Sequence, residues 1–172
     1  TRIPTGIGKV KAISAGRDHS LALKEDGTVV AWGDDSYKQS TVPPGLANVK
    51  AVAAGTYFSL ALLEDGTLKA WGAKTFLLDS IPPGLNGVKA IATADGHALA
   101  LRENGTVVMW GTDQNLPKFV PSGLSGVKAI ATSAAISAAL REDGSVVAWK
   151  NDRSGLARLP AGLANVKALA LG

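Results

Sequence analysis

Ser14-Ala15-Gly16-Arg17-Asp18-His19-Ser20-Leu21-Ala22-Leu23-Lys24-Glu25-Asp26-Gly27-Thr28-Val29-Val30-Ala31-Trp32-Gly33 is the stretch that decides the fold. It sets two short apolar runs on either side of an Asp-Gly turn, and it returns as Ala53 to Gly72 at a distance of 39 residues. The same period separates Trp32, Trp71, Trp110 and Trp149, and also Pro4, Pro43, Pro82, Pro121 and Pro160. A fixed period in this range marks supersecondary units that bury their faces against one another. Function is therefore to be sought on a repeat surface.

Within each unit the pattern predicts three strands. In the first they run over 10–16, 19–23 and 28–32, about five residues each, the usual strand length. Asp26-Gly27, Asp65-Gly66, Asn104-Gly105 and Asp143-Gly144 are dipeptides that tolerate positive φ at both central turn positions, so four tight hairpins in register are expected. The runs Val42-Pro43-Pro44-Gly45-Leu46, Ile81-Pro82-Pro83-Gly84-Leu85 and Val120-Pro121-Ser122-Gly123-Leu124 cannot be central strands, because proline has no ladder donor, and must lie at an edge or between units. Helical periodicity is absent, and β-helical coils need shorter repeats.

Antiparallel units of about 40 residues point to an all-β fold of β-propeller blades. The blades fall at approximately 3–41, 42–80, 81–119 and 120–158 of a single repeat domain spanning 1–172, and 159–172 repeats the opening strand of a fifth. The propeller is thus partial or self-completing: a fragment of a longer chain, a small ring, or one of two copies that complete each other. Small residues such as Ala51, Ala53, Ala54 and Gly55 suit inner strands crowded around a channel, and the four tryptophans are expected to pack between blades.

Composition agrees with a globular domain. Of the 172 residues, 46% are hydrophobic and 19% charged, too apolar for disorder. There is no cysteine, which excludes disulfides and thiolate metal sites. No apolar run reaches membrane-span length, and Thr1-Arg2-Ile3-Pro4 carries no targeting pattern. A net charge of +4 does not by itself call for a polyanionic partner.

The strings Ser14-Ala15-Gly16, His19 to Leu23 and Glu25 to Gly33 resemble the regulator of chromosome condensation repeat. The short period and the run from Trp32 to Pro43 are similar to the bacterial branch of that family that includes the propeller-type β-lactamase inhibitor proteins. The resemblance spans the whole chain and is strongest in the first two units; Gly16 and Gly55 become Ala94 and Ser133, and Lys150 rather than glycine follows Trp149. It implies a propeller that binds a protein, in a bacterial and secreted setting. In the inhibitor-like members, aromatic side chains in the blade loops make the contact surface; the matching places here hold Tyr37, Tyr57 and Phe76, while Asp18, Gly96 and Ala135 depart from the pattern.

Catalytic chemistry is thinly represented. His19 and His97 sit two periods apart and occupy equivalent places in different blades, where each is expected to bond a neighbouring blade's backbone rather than act as a general base. Two histidines without cysteine are too few for a zinc site, Ser20 and Ser59 belong to a strand pattern without a nucleophile elbow, and Asp34-Asp35 with the turn acids match no calcium loop. No enzyme activity and no cofactor are expected.

Two loop sets vary while the scaffold repeats, which is where specificity is written. One follows the first strand, the other follows the tryptophan. From them we select Arg17, Asp18, Asp35, Tyr37, Lys38, Tyr57, Phe76, Asp113 and Arg153 as partner-binding candidates. Lys11, Lys50, Lys89, Lys128 and Lys167 share one phase and invite the idea of a cationic ring, but long side chains covering apolar neighbours explain them more simply, and patches for nucleic acid are lacking. The reading is a non-catalytic binding module for a protein partner, extracellular or at the cell surface, with self-association through the terminal strand; the alternatives are an adhesive segment of a larger surface protein and a regulator of chromatin or a small GTPase.

Overall fold

The computed structural model describes residues 2–73, 81–111, 119–151 and 155–171. Among the described residues, twelve strands form four three-stranded antiparallel sheets, each drawn from one 39-residue unit. Blade 1 holds β1 (Val10–Ala15), β2 (His19–Lys24) and β3 (Val29–Gly33); blade 2 holds β4 (Val49–Ala54), β5 (Phe58–Leu63) and β6 (Leu68–Gly72). Blade 3 holds β7 (Val88–Ala94), β8 (His97–Arg102) and β9 (Val107–Gly111); blade 4 holds β10 (Val127–Thr132), β11 (Ile136–Arg141) and β12 (Val146–Lys150). The first strands β1, β4, β7 and β10 stand side by side in chain order, and their ends Ala15, Ala54, Thr93 and Thr132 line one central cavity. The fold is all-β and propeller-like, as the period implies.

The hairpins fall where the Asp/Asn-Gly pairs place them, with a different geometry. Gly27, Gly66, Gly105 and Gly144 have φ of 77°, 80°, 76° and 81°, whereas the Asp or Asn before each keeps a negative φ. Gly27 N donates to Lys24 O at 3.1 Å and Lys24 N to Thr28 O at 2.9 Å. This is a type I turn closed by a left-handed glycine, the three-residue hairpin, rather than a two-residue turn with both residues left-handed. The side chain explains the choice: Asp26 Oδ1 accepts from the N and Oγ1 of Thr28 at 3.0 and 2.5 Å, a local bond that keeps the Asp itself right-handed. Asp65, Asn104 and Asp143 repeat the arrangement with Thr67, Thr106 and Ser145.

Register is interrupted once per blade, between Val10 and Ala12, Val49 and Ala51, Val88 and Ala90, and Val127 and Ala129. The recurring Lys11, Lys50, Lys89 and Lys128 are thus the bulged residues of the inner strands, outside the ladder. Their phase serves strand geometry.

Between successive blades lies one apolar layer each. Leu21, Leu23 and Val29 of blade 1 meet Val49, Ala61 and Trp71 of blade 2. Leu60 and Leu62 meet Val88, Ala100 and Trp110, and Leu99 and Leu101 meet Val127, Ala139 and Trp149. Each buried leucine or tryptophan contributes about 1.5–3 kcal/mol, so the stack is held chiefly by faces that one blade alone leaves wet. Three of the four indoles lie in these layers, as expected. Trp32 is only half-buried and belongs to none of the three apolar layers formed by the described residues.

The sequence predicts a strand over 166–172, yet residues 166–171 enter no ladder. An inner strand of this fold pairs with the middle strand of its own blade, and among the described residues none pairs with 166–171. The segment is tied to blade 4 by Val166 N donating to Gly144 O at 3.1 Å.

Candidate functional site

The ladder opposes His19 to Gly33, which brings the loop after β1 and the loop after β3 to one end of the blade. Asp34 N donates to Asp18 O at 2.8 Å, and Ala73 N donates to Tyr57 O at 2.9 Å in the next blade. In blades 1 and 2 the two loops therefore start from the same end of the sheet, and the residues that follow the first strands, Arg17, Thr56, Asp95 and Ala134, line the central cavity.

On this face Arg17 of blade 1 donates from Nη1 to the Tyr57 hydroxyl of blade 2 at 2.9 Å, with its guanidinium carbon 5.8 Å from the Tyr57 ring centroid. Tyr37 packs against Tyr57 at a centroid distance of 4.9 Å and an interplanar angle of 52°, a tilted pair of the kind that contributes about 0.5–1.5 kcal/mol beyond its buried area. Asp18 pairs with Arg17 Nε at 3.4 Å. Both partners are exposed, so this pair orients the guanidinium more than it stabilises. Next to them Thr56 Oγ1 donates to Asp95 Oδ1 at 3.0 Å, joining blades 2 and 3. The result is a cross-blade platform of two aromatic rings, a cation and flanking carboxylates.

The 34–41 loop that carries Tyr37 is built by its own acids. Asp34 accepts from Ser36 Oγ and Gln39 Nε2, both at 2.6 Å, and Asp35 accepts from Thr41 Oγ1 at 2.6 Å and Ser40 N at 3.0 Å. The Ser36 hydroxyl and the Thr41 hydroxyl respectively are the main reasons both carboxyls titrate below the ordinary aspartate value. Lys38, left-handed at φ 67°, reaches Asp35 at 3.5 Å. Both carboxylates are spent on closing the loop, and among the described residues no cluster of ligating side chains fits a metal. Asp35 thus helps to hold the loop that carries Tyr37.

Both histidines are buried at the start of a middle strand, each bonded to a hydroxyl of the following blade and not to its backbone. His19 Nε2 is 2.9 Å from Ser59 Oγ, and Ser59 donates to Gln39 O at 2.8 Å, an oxygen that Trp71 Nε1 also reaches at 2.9 Å. Because the Ser59 proton points to that carbonyl, His19 is the donor through Nε2. A buried serine with its proton held this way is no nucleophile. His97 Nε2 meets Thr132 Oγ1 at 2.7 Å, which continues through Ser137 Oγ (2.8 Å) to Asn151 Oδ1 (2.8 Å). Burial outweighs the nearby Asp34, Asp18 and Asp35 charges at His19 and Asp95 at His97, holding both rings below the usual histidine value.

The repeat itself explains these pairs. One period beyond His19 stands Phe58, and one period beyond Ser59 stands Ala98; Phe58 and Ala98 share an apolar layer. Another period on, His97 and Ser137 restore polar residues at both places, here with Thr132 bridging the two. Each interface thus carries a matched set, His with Ser or Phe with Ala, a signal readable in the sequence as residues 40 apart that change together.

Of the sequence-derived candidates, the structure brings together Arg17, Asp18, Tyr37 and Tyr57, and places Asp35 and Lys38 in the supporting loop. Phe76, Asp113 and Arg153 lie outside the described residues. Sequence reasoning passed over Thr56, Asp95 and Gln39. The first two share the phase of Arg17 and are within reach of sequence reading; Gln39, which is buried, acts through its carbonyl on Ser59 and Trp71 and through its side chain on Asp34 and the Tyr37 N–H, contacts that no repeat signal marks.

Residues 10–39 and 49–76 match the Regulator of chromosome condensation (RCC1) repeat. No curated protein sequence matches the chain. Among solved structures it is similar to yeast RCC1 (Prp20) bound to Kap60, with a TM-score of 0.70 and 21% identity over 95% of this chain and 49% of that one. It is also similar to Prp20p from Saccharomyces cerevisiae, described with its binding to Gsp1p and histones (0.68, 22%, 95% and 51%). A third is the ectodomain of the receptor kinase CR4 from Physcomitrella patens (0.68, 25%, 90% and 42%). The chain spans about half the length of these structures.

Proposed function

We propose that the chain is a non-catalytic binding module that presents the Arg17, Tyr37 and Tyr57 platform, flanked by Asp18 and Lys38, to a protein partner. The single observation that carries this reading is the convergence of three side chains from two blades on one exposed face. Arginine and tyrosine are the residue types that dominate binding energy at protein interfaces, and Tyr37 remains 50% exposed after packing on Tyr57. An inhibitor-like role in a bacterial, secreted setting belongs to the same proposal; the similarity to a receptor ectodomain supports a place outside the cell or at its surface. A second reading, a regulator of chromatin or a small GTPase, is favoured by the fold shared with Prp20p.

The test is comparative capture. The chain and its Arg17→Ala, Tyr37→Ala, Tyr57→Ala triple variant are immobilised, and proteins retained from matched extracts are quantified by mass spectrometry. The reading expects a protein bound by the former and lost from the latter. Histones or small GTPases among those lost favour the second reading; identical captures refute the platform.

A further inference from the structure

The sequence holds two Asn-Gly pairs, Asn86-Gly87 ahead of β7 and Asn104-Gly105 in the hairpin between β8 and β9. Such a pair can close on itself: the glycine nitrogen attacks the asparagine side-chain carbonyl, unhindered because glycine carries no Cβ. The reaction depends on what holds that nitrogen and that carbonyl, and the fold treats the two pairs in opposite ways. Gly105 is buried, its N donates to Arg102 O at 2.9 Å, and its O accepts from Val127 N of blade 4 at 3.4 Å. Asn104 Oδ1 accepts from Thr106 N at 3.1 Å and Thr106 Oγ1 at 2.7 Å, which fixes that side chain in its own turn. Ring closure at Asn104 therefore requires the hairpin to open.

At Asn86-Gly87 both residues are exposed, and the space around Gly87 is open. Among the described residues Gly87 N has no hydrogen-bond partner, whereas Gly87 O accepts from Glu103 N at 2.8 Å. The ladder opposes Val88 to Arg102, which brings the guanidinium beside Asn86: Nε donates to Asn86 O at 3.0 Å and Nη2 to Asn86 Oδ1 at 2.9 Å. One period back the two places hold Ala47 and Leu63, and one period on they hold Ser125 and Arg141. The repeat itself thus does not call for an Asn-Arg pair here. The pair lies at the joint of blades 2 and 3, with described strands on both sides.

We propose that Asn86-Gly87 is a self-modification site, at which the folded chain converts Asn86 to aspartate and isoaspartate with Arg102 as the donor to the developing oxyanion. Gly87 N gives its proton to water and attacks Asn86 Cγ. As the C–N bond forms, the carbonyl electron pair moves onto Oδ1, 2.9 Å from Arg102 Nη2, the separation at which a donor stabilises such a charge. The tetrahedral carbon then expels the side-chain nitrogen, protonated by water, as ammonia, and a five-membered imide remains. Water opens the imide at Cγ to give aspartate, or at the backbone carbonyl carbon to give isoaspartate. In the aspartate form the new carboxylate meets Arg102 in a charge-assisted bond. The isoaspartate form adds a methylene to the main chain two residues before Val88, which is buried in the apolar layer between blades 2 and 3. The chemistry thus acts on the joint of two blades.

The experiment incubates the full chain in mildly alkaline buffer, folded or in urea, and follows the one-unit mass gain at each asparagine by peptide mapping and mass spectrometry. In urea both Asn-Gly pairs are expected to convert at similar rates. In the folded chain Asn86 is expected to convert roughly tenfold faster than Asn104 or more, because Asn104 must first break the Gly105 hydrogen bond and open its turn. Arg102→Met, its fold checked by circular dichroism, is expected to slow Asn86 roughly threefold or more in the folded chain, through loss of the oxyanion donor, and to leave the rate in urea unchanged. Asn86→Gln is expected to abolish the gain at that position. Conversion of Asn86 no faster than that of Asn104 in the folded chain overturns the proposal, as does a folded Arg102→Met chain that converts at the unaltered rate or faster. The ratio of the two sites in the unaltered chain decides the matter even where Arg102→Met fails to fold.

Discussion

Replacing Ser59 by alanine isolates one buried bond between blades 1 and 2. The substitution removes the acceptor of the His19 Nε2–H at 2.9 Å and one of two donors to the Gln39 carbonyl. Trp71 Nε1 still reaches that carbonyl, so only the His19 donor is orphaned. A buried donor without a partner costs about 1–3 kcal/mol, and for a chain of this size each kcal/mol lowers Tm by about 2–4 °C. The expected loss is therefore roughly 2–12 °C, read by thermal or urea unfolding, with partner capture unchanged. The interface between blades 2 and 3 supplies the control, since it uses Phe58 with Ala98. His19→Phe together with Ser59→Ala copies that pair and should recover most of the stability, because removing both partners of a buried bond is nearly neutral. A Ser59→Ala variant within about 0.5 kcal/mol of the parent would refute the argument, as would a double variant no more stable than the single.

Acid should destabilise the fold. Burial lowers both histidine pKa values from 6.5, so the unfolded chain binds more protons as pH falls below about 6.5, and stability should decline through that range and level off above it; urea midpoints from pH 5 to 8 check this, and a stability that rises on acidification would contradict it. Gly16→Ala should cost several kcal/mol, since a Cβ there would collide with the Gly55 carbonyl and the His19 ring; soluble expression and Tm report it, whereas Gly45→Ala, left-handed at φ 75° but in open space, should cost about 1 kcal/mol. Tyr37→Ala and Tyr57→Ala should each weaken binding of a captured partner by about 1–4 kcal/mol, measured by calorimetry; a loss of fold with no separate loss of affinity would make the rings core.

The 39-residue period alone determined the architecture, because each unit repeats the same strand, turn and strand pattern and no unit can bury its leucines without a neighbour. The loops were legible as sites of variation, and Arg17, Tyr37 and Tyr57 could be picked from them by residue type. That these three meet was decided by the tertiary structure, since the Arg17–Tyr57 bond spans 40 residues and depends on how far one blade turns past the next. The roles of Asp34 and Asp35 were hidden for a related reason: a carboxylate's function lies in which donors surround it, and the five-to-six-residue reach of this loop sets that. The hairpin type turned on a competition that composition does not weigh, the Asp26 bond to Thr28 against a left-handed Asp. The end strand shows the limit most plainly. Residues 10–15 and 166–171 open on the same Val-Lys-Ala, yet one is a strand and the other is not, because a ladder is a property of two segments and, among the described residues, only β1 has a partner beside it.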